Sequence, residues 1–586
     1  MNSKKNRPLA VLPSQSLSMW RLSLAAGVLA VFPFLLTWHL AHLQVVPGEE
    51  RGFHFLQNEG EARTLRNLKI NAYRGTITDR NGELLAVSTP VKSLFVNPKE
   101  IKSTDVARLA RALKVDVKGL RLRLAKYKNK QFMYLARHLP PHEADAILAE
   151  KITGLFAQEE YRRFYPAGEV VAHVVGFTDV DDTGQEGAEL AFDHWLAGAP
   201  GEKKVIKDLK GNVVKELGVL TSPNPGNDLK LTIDMRLQYL AYRELKNAIA
   251  KQGAKSGSLV MMDAQSGEIL AMANQPSYNP NDRSTVIPMQ LRNRAFTDVF
   301  EPGSTMKPFT IMAALETGDY TPAYTIDTSP GHLFVAGKMI PDPVNYGVMD
   351  LTKIIIKSSQ VGISKLALKM EPEIIRDMYL RTGLGQTSGS GFPGESAGYL
   401  PSHEKWHPIE QVTFAYGYGL SVNAVQLAQA YSVIASGGKF NAARLIYQNE
   451  DTSQQSHQII APHITQQITK MLKQVVEPGG TATRAQIDAY PVAGKTGTAH
   501  KVGAHGYADD KYMALFAGFS PADKPEIVAV VVINEPPSGG GYSGGKAAAP
   551  VFASAVEEAL RILHVPPVQK AAVASIQFPL SATKVN

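Results

Sequence analysis

Between Arg21 and Gln44 lie 22 consecutive residues, LSLAAGVLAVFPFLLTWHLAHL, without a single Asp, Glu, Lys or Arg. As a helix this segment is about 30 Å long, the thickness of a bilayer's hydrocarbon core. Lys4, Lys5, Arg7 and Arg21 precede it, and Glu49 and Glu50 come after it. That asymmetry predicts an N-terminus held in the cytoplasm and a chain exported after Gln44. A cleaved signal peptide would have a shorter apolar core and a small-residue cleavage site, so the segment reads as a permanent anchor. Pro33 inside it is tolerable in a membrane helix.

The chain beyond the anchor is too long for one domain. It has 586 residues in all, and two or three domains are expected. With 44% hydrophobic residues it can bury proper cores. A formal charge of +8 is a mild basic excess at this length. It suits an anionic polymer or lipid, and no zinc spacing, RNA-binding signature or long basic run points to nucleic acid. There is no cysteine, which excludes disulfides, thiolate metal sites and a cysteine nucleophile. No metal or cofactor motif is expected.

Composition divides the chain into a basic tail (1–21), an anchor (22–43), a strand-rich region (44–225), a larger α/β region (226–564) and a polar C-terminal tail (565–586). In the first exported region, Asn81-Gly82 between apolar runs predicts a hairpin, and DVARLARALKV has helical spacing. No nucleophile–base pair stands out there, so it reads as a pedestal or docking domain. TSPNPGNDL, beginning at Thr221, marks the boundary. Beyond it come a strand, a helix capped by Asp234, and strands on either side of Gln265-Ser266-Gly267. KYMALFAGFSP and PEIVAVVVINE add two late strands. Strands at both ends with helices between predict a mainly antiparallel sheet flanked by helices, an α+β domain.

The chemistry centres on Ser304-Thr305-Met306-Lys307. Pro302-Gly303 breaks the chain, and KPFTIMAALE after it is helical, which sets Ser304 at a helix start with Lys307 one turn on. A serine hydroxyl needs a base, and a buried lysine in its neutral form supplies one. Amides at the helix start favour an oxyanion. The same spacing recurs at Ser402/Lys405, Ser436/Lys439, Ser543/Lys546 and Ser581/Lys584, in loops or the tail, where chance explains it.

Lys495-Thr496-Gly497 occurs once, within a strand-like PVAGKTGTA. Lys495 and the hydroxyls of Thr496 and Thr498 suit a substrate carboxylate, and Gly497 would admit a substrate backbone close to the strand. A third element is Ser358-Ser359-Gln360, a hydroxyl and an amide two residues apart. Ser421-Val422-Asn423 has the same spacing, but there Ser421 reads as an N-cap and Asn423 as a first-turn residue.

Ser-x-x-Lys, Ser-x-Asn and Lys-Thr-Gly in this order mark penicillin-binding proteins and serine β-lactamases, and Ser304/Lys307, Ser358/Gln360 and Lys495-Thr496-Gly497 resemble that series. YRGTITDRNGELLAVS, RRFYPAGEVVAHVVGF, SYNPND, DVFEPGSTMKP and AYGYGL extend the resemblance over nearly the whole chain, to class B penicillin-binding proteins of the division-specific FtsI type. It implies a β-lactamase-like transpeptidase domain on a pedestal, anchored in a bacterial inner membrane with the catalytic domain periplasmic. It implies acylation of Ser304 by the D-Ala-D-Ala end of a stem peptide, or by a β-lactam. Lys307 would be the base, Ser358 a proton relay, and the amides of Ser304 and Thr498 the oxyanion hole. Transfer to a neighbouring stem cross-links septal peptidoglycan, with D,D-carboxypeptidase activity as a side reaction. The implied partners are a SEDS-type polymerase, FtsW, and other division proteins. Gln360 departs from the family's Asn by one methylene, which leaves open a weakly active or inactive paralogue serving as scaffold or β-lactam-binding protein. A β-lactamase would lack the anchor and pedestal, and a β-lactam receptor would need a cytoplasmic signalling part.

Overall fold

The computed structural model describes residues 18–45, 53–208, 213–448, 456–503, 506–537 and 541–568. Most of the basic tail, and the C-terminal tail from residue 569 with its Ser581/Lys584 pair, therefore lie outside the described residues. The apolar segment forms helix α1 (Met19–Val45), with Pro33 inside it and no buried residue. Among the described residues α1 alone is long and apolar enough to cross a membrane.

Helix α2 (Phe53–Thr64) leads into strand β1 (Leu65–Ile70). The Asn81-Gly82 turn joins β2 (Ile77–Thr78) to β3 (Leu84–Val96) as an antiparallel pair. Gly82 has φ +92°, a left-handed conformation that glycine adopts without steric cost. The Asp79 side chain accepts from the Asn81 and Glu83 amides and closes the turn.

β3 is thirteen residues long and enters two cores. Leu85 and Ala86 belong to the large core, Leu94 and Val96 to a second one. That second core forms a head subdomain from α3 (Val106–Ala112), α4 (Val117–Lys126), β4 (Met133–Leu139), α5 (Pro141–Leu148) and the start of β5 (Leu155–Phe164). β3 and β5 pair antiparallel from Val87↔Phe164 to Val96↔Leu155 without a register shift. A three-stranded sheet carries β1 beside β6 (Gly201–Lys207), with β7 (Val213–Thr221) at its other edge.

The stretch after Thr221 packs closely on its surroundings. Ala199 and Asn224 exchange backbone hydrogen bonds, and Gly226 N donates to the Tyr73 carbonyl. β8 (Leu229–Lys230) then pairs in parallel with β2. The large core continues without a break from Ile77 through Val175 to Leu560, so the pedestal base and the α/β region share one interior. Side chains close the seam: Asn281 bonds both backbone groups of Tyr165, and Asn293 Nδ2 donates to the His173 carbonyl.

Asp234 caps α6 (Met235–Gln252), as expected, by accepting from the Arg236 amide. β9 (Ser256–Asp263) and β10 (Ile269–Gln275) form the early hairpin, with Gly267 at φ +76°. The site helices come next: α7 (Lys307–Thr317), α8 (Leu351–Lys357), α9 (Gln360–Ala367) and α10 (Ala424–Ala435). β11 (Ala493–Gly503), β12 (Gly506–Ser520) and β13 (Ile527–Asn534) precede the last helix, α11 (Ala549–Ile562). The five strands run in the order β10-β9-β13-β12-β11, and every neighbour is antiparallel. α6 and α11 pack together against the sheet, and α10, buried along its entire length, also packs on β9, β12 and β13. The sheet is therefore flanked by helices, and β11 is its free edge.

Candidate active site

Three chain segments meet at that edge. The first is the turn before α7. Gly303 has φ +55°, and residues Gly303–Met306 form a 3₁₀ turn that runs directly into α7. Gly303 N donates to the Gly417 carbonyl at 2.9 Å, Thr305 Oγ1 to the Pro302 carbonyl at 2.8 Å, and Tyr431 OH to the Thr305 carbonyl at 2.9 Å. Pro302, Gly303, Thr305, Met306 and Lys307 are buried, while Ser304 among them stays partly accessible. Ser304 Oγ makes no hydrogen bond among the described residues.

Lys307 is 0% exposed, and its Nζ is committed to the second segment. It donates to the Ser358 carbonyl at 2.5 Å and to Ser358 Oγ at 3.1 Å. Ser358 ends α8 in a left-handed conformation, φ +57°, which is unusual for serine and typical of a functional turn. Burial lowers the Lys307 pKa to about 7, against the opposing pull of the Asp342 charge. Of the described Ser-x-x-Lys pairs, only this one has a buried lysine; Lys405, Lys439 and Lys546 are exposed.

Asp342, which sequence reasoning missed, fixes the second segment. Its carboxylate accepts from Ser359 Oγ at 2.5 Å, from Gln360 N at 2.6 Å and from Val361 N at 3.3 Å. It thus occupies the positive end of α9 and holds the turn between α8 and α9. Gln360 is the first residue of α9, half-buried, with an amide side chain that bonds to nothing among the described residues. The only sequence sign of Asp342 is an acid in a Pro-rich turn, PDPVNYG, sixteen residues before Ser358.

β11 is the third segment. Lys495 on it is 0% exposed, and its Nζ donates to the Thr496 carbonyl at 3.2 Å and Oγ1 at 3.3 Å. Burial, and then the charge on Lys307, depress its pKa well below the ordinary value, so the two ammonium groups sense each other. Thr496 Oγ1 donates to Thr481 Oγ1, and Thr498 Oγ1 accepts from the Gly544 amide at 3.0 Å, while its own O–H has no acceptor among the described residues. At Gly497 the protein itself also demands a missing side chain. A Cβ there would stand 2.8 Å from the Pro302 carbonyl oxygen and 3.0 Å from Thr305 Cγ2, so it is the protein's own Ser304 turn that presses on the strand.

A further wall comes from AYGYGL. Tyr418 packs on Gly303, and its OH reaches the Thr498 carbonyl at 3.5 Å. Glu301 accepts from Gly419 N and from Tyr507 OH, and burial lifts its carboxyl above the usual range. The rival triplet is structural: Asn423, not Ser421, is the N-cap of α10, accepting from Gln426 N and forming a capping box with it.

The arrangement has known counterparts. Residues 257–557 match the penicillin-binding protein transpeptidase domain, and residues 69–231 match the penicillin-binding protein dimerisation domain. The chain is 42% identical over 550 residues to the probable peptidoglycan D,D-transpeptidase PbpC of Pseudomonas aeruginosa, covering 94% of this chain and 96% of that one. It is 41% identical over 555 residues to the peptidoglycan D,D-transpeptidase FtsI of Escherichia coli, covering 94% and 92%. Among solved structures, it resembles the transpeptidase domain of penicillin-binding protein 3 from Burkholderia pseudomallei, with TM-score 0.54 and 40% identity over 58% of this chain and 98% of that one. Penicillin-binding protein 3 of Mycobacterium tuberculosis complexed with aztreonam aligns over 86% of this chain and 98% of that one, with TM-score 0.66 and 28% identity.

Proposed function

The chain belongs to the penicillin-binding protein transpeptidases and is a peptidoglycan D,D-transpeptidase, and from that premise we propose how its own residues divide the work. Ser304 Oγ attacks the carbonyl carbon of the penultimate D-Ala of a stem peptide. Neutral Lys307 takes the hydroxyl proton, directly or through Ser358 Oγ, which lies 3.1 Å from Nζ. The peptide C–N bond breaks, and the terminal D-Ala leaves with that proton on its amine. An amine of a second stem peptide then attacks the Ser304 ester, loses a proton along the same path, and releases the serine with the cross-link formed. A β-lactam undergoes the first half alone, its ring amide opening onto Ser304.

The amides of Ser304 and Thr498 are the proposed oxyanion donors. Support comes from the position of Thr498 on a free sheet edge beside the Ser304 turn, where strand amides lack partners. Lys495, Thr496 and Thr498 are proposed to hold the terminal carboxylate, and the free amide of Gln360 to bond the substrate backbone. A carboxylate reaching Lys495 would restore the charged form that burial now disfavours. Gly497 keeps the strand close enough for these groups to converge.

The observation carrying this reading is the fully buried Lys307, bonded to Ser358 and one turn beyond a partly exposed serine. The test is mass spectrometry of protein mixed with a fluorescent penicillin. Ser304→Ala should form no adduct, while Ser402→Ala and Ser543→Ala should label like the parent. An adduct on Ser304→Ala would move the nucleophile elsewhere.

The cellular setting is part of the same proposal. α1 anchors the chain with its N-terminus cytoplasmic and the catalytic region outside, in keeping with the basic residues before it. Residues 44–225 act as pedestal and 226–564 as transpeptidase. The likeness to FtsI favours septal cross-linking beside a SEDS-type polymerase, FtsW, and other division proteins. A scaffold without catalysis has only Gln360 in its favour.

A further inference from the structure

The chain's charge is concentrated in one place far along β3 from the catalytic core. Between Lys99 and Lys130 stand eleven Lys and Arg against three Asp and Glu, a net charge of +8 and equal to that of all 586 residues. The remaining residues therefore balance. All eleven basic side chains are exposed, on α3, α4 and the loops around them. Among the described residues only Arg108 is ion-paired, with Asp105 and Glu150.

An ordinary solvated face mixes signs, because like charges close together repel. This one is basic by eleven to three, with one ion-paired cation among the described residues, and its apolar residues are also unusual. On α4, Leu120 and Leu124 point into the head core. Lys118, Arg121, Arg123 and Lys126 spread over the remaining arc of roughly 200°, at 100° per residue. Near the centre of that arc Leu122 is 73% exposed, and Val115 and Tyr127 at the two ends of the helix are exposed as well.

We propose that this basic face of the head rests on the anionic lipid surface of the membrane in which α1 is anchored. Seven of the eleven basic residues are lysines, point charges on flexible stems that suit a diffuse anionic surface better than one shaped ligand. Leu122 decides between an anionic polymer and a bilayer. Polymer carboxylates would neutralise the lysines but leave Leu122 in water, whereas a lipid surface accepts an apolar side chain ringed by lysines. The tether makes the contact intramolecular, so weak contacts suffice. The inference rests on the anchor reading of α1.

The test exploits the absence of cysteine, since Ala125→Cys creates a unique labelling site on exposed α4. The full chain, carrying an environment-sensitive dye there, is reconstituted into vesicles of phosphatidylcholine alone or mixed with phosphatidylglycerol, each containing a quenching lipid. Quenching is expected only with phosphatidylglycerol, and is lost at high salt and in K118E/R121E/K126E/K128E. That variant should still float with vesicles and still label with penicillin, which separates loss of the contact from loss of the anchor or fold. Equal quenching in both vesicles, or none in either, overturns the proposal. A dye response to soluble peptidoglycan fragments without any to phosphatidylglycerol overturns it in favour of a polymer-binding surface. Failure to float removes it together with the anchor reading.

Discussion

Burial strips the Lys307 ammonium group of hydration and lowers its pKa to about 7. Its base form is the neutral one, so acylation should rise with pH through about 7 and fall on the acid side. The Asp342 carboxylate opposes this by favouring the charged lysine. Asp342→Asn should therefore lower the Lys307 pKa further and move the acid limb of the penicillin acylation rate to lower pH. A limb that stays in place would show that another group sets it. Gln360 is the other residue whose effect can be read directly. Gln360→Ala should slow acylation by about 10-fold or more through loss of an amide bond to substrate, while Gln360→Asn, which retains the amide, should change it less. Equal loss in both would mean that the amide touches no substrate. At this scale the sequence was readable wherever a motif carries its own context. Ser304 and Lys307 were legible because a breaker, a spacing and a helix coincide. Asp342 was not, because its partners, Ser359 and Gln360, come to it through a fold that no local pattern encodes.

Elements position the site through glycines and free edges. β11 lies at the sheet margin, and the Ser304 turn is pressed on it at Gly497. Gly497→Ala would place a methyl in contact with the Pro302 carbonyl and force strand and turn apart. The expected outcome is a protein that still unfolds cooperatively but acylates about 10²-fold more slowly, since an ångström of misplacement costs that much. Stopped-flow acylation alongside thermal unfolding separates the two effects. The continuous apolar strands, buried on both faces, and the Asp234 cap were legible from the chain alone. The cap of α10 was not read correctly, because Ser421 and Asn423 are both good capping residues and only the reciprocal bond with Gln426 selects Asn423. The packing of the stretch after Thr221 was a different matter. Pro, Gly and Asn mark a turn, but they do not tell whether other strands pack on it.

For the whole molecule, two interiors of unequal size imply two stabilities. The head core contains Leu109 on α3, with no exposed surface, and it shares no buried residue with the large core. Leu109→Ala should cost about 2–5 kcal/mol locally, loosening the head while penicillin acylation stays at the parental rate. Hydrogen exchange resolved by segment would check this, and a fall in acylation would show that the cores are coupled. The strands joining these two bodies decide how they move. β3 and β5 are paired over ten residue positions without a bulge, from the head down to Val87 and Phe164. Close to that root, buried Arg163 on β5 bonds Glu189 and Ser88, and Arg74 bonds Glu189 and Asp193. A ladder with no break and a clamped base has no pivot. The head is a cantilever: a load at its tip bends the beam elastically and arrives at its mounting as torque, beside the core that carries the serine.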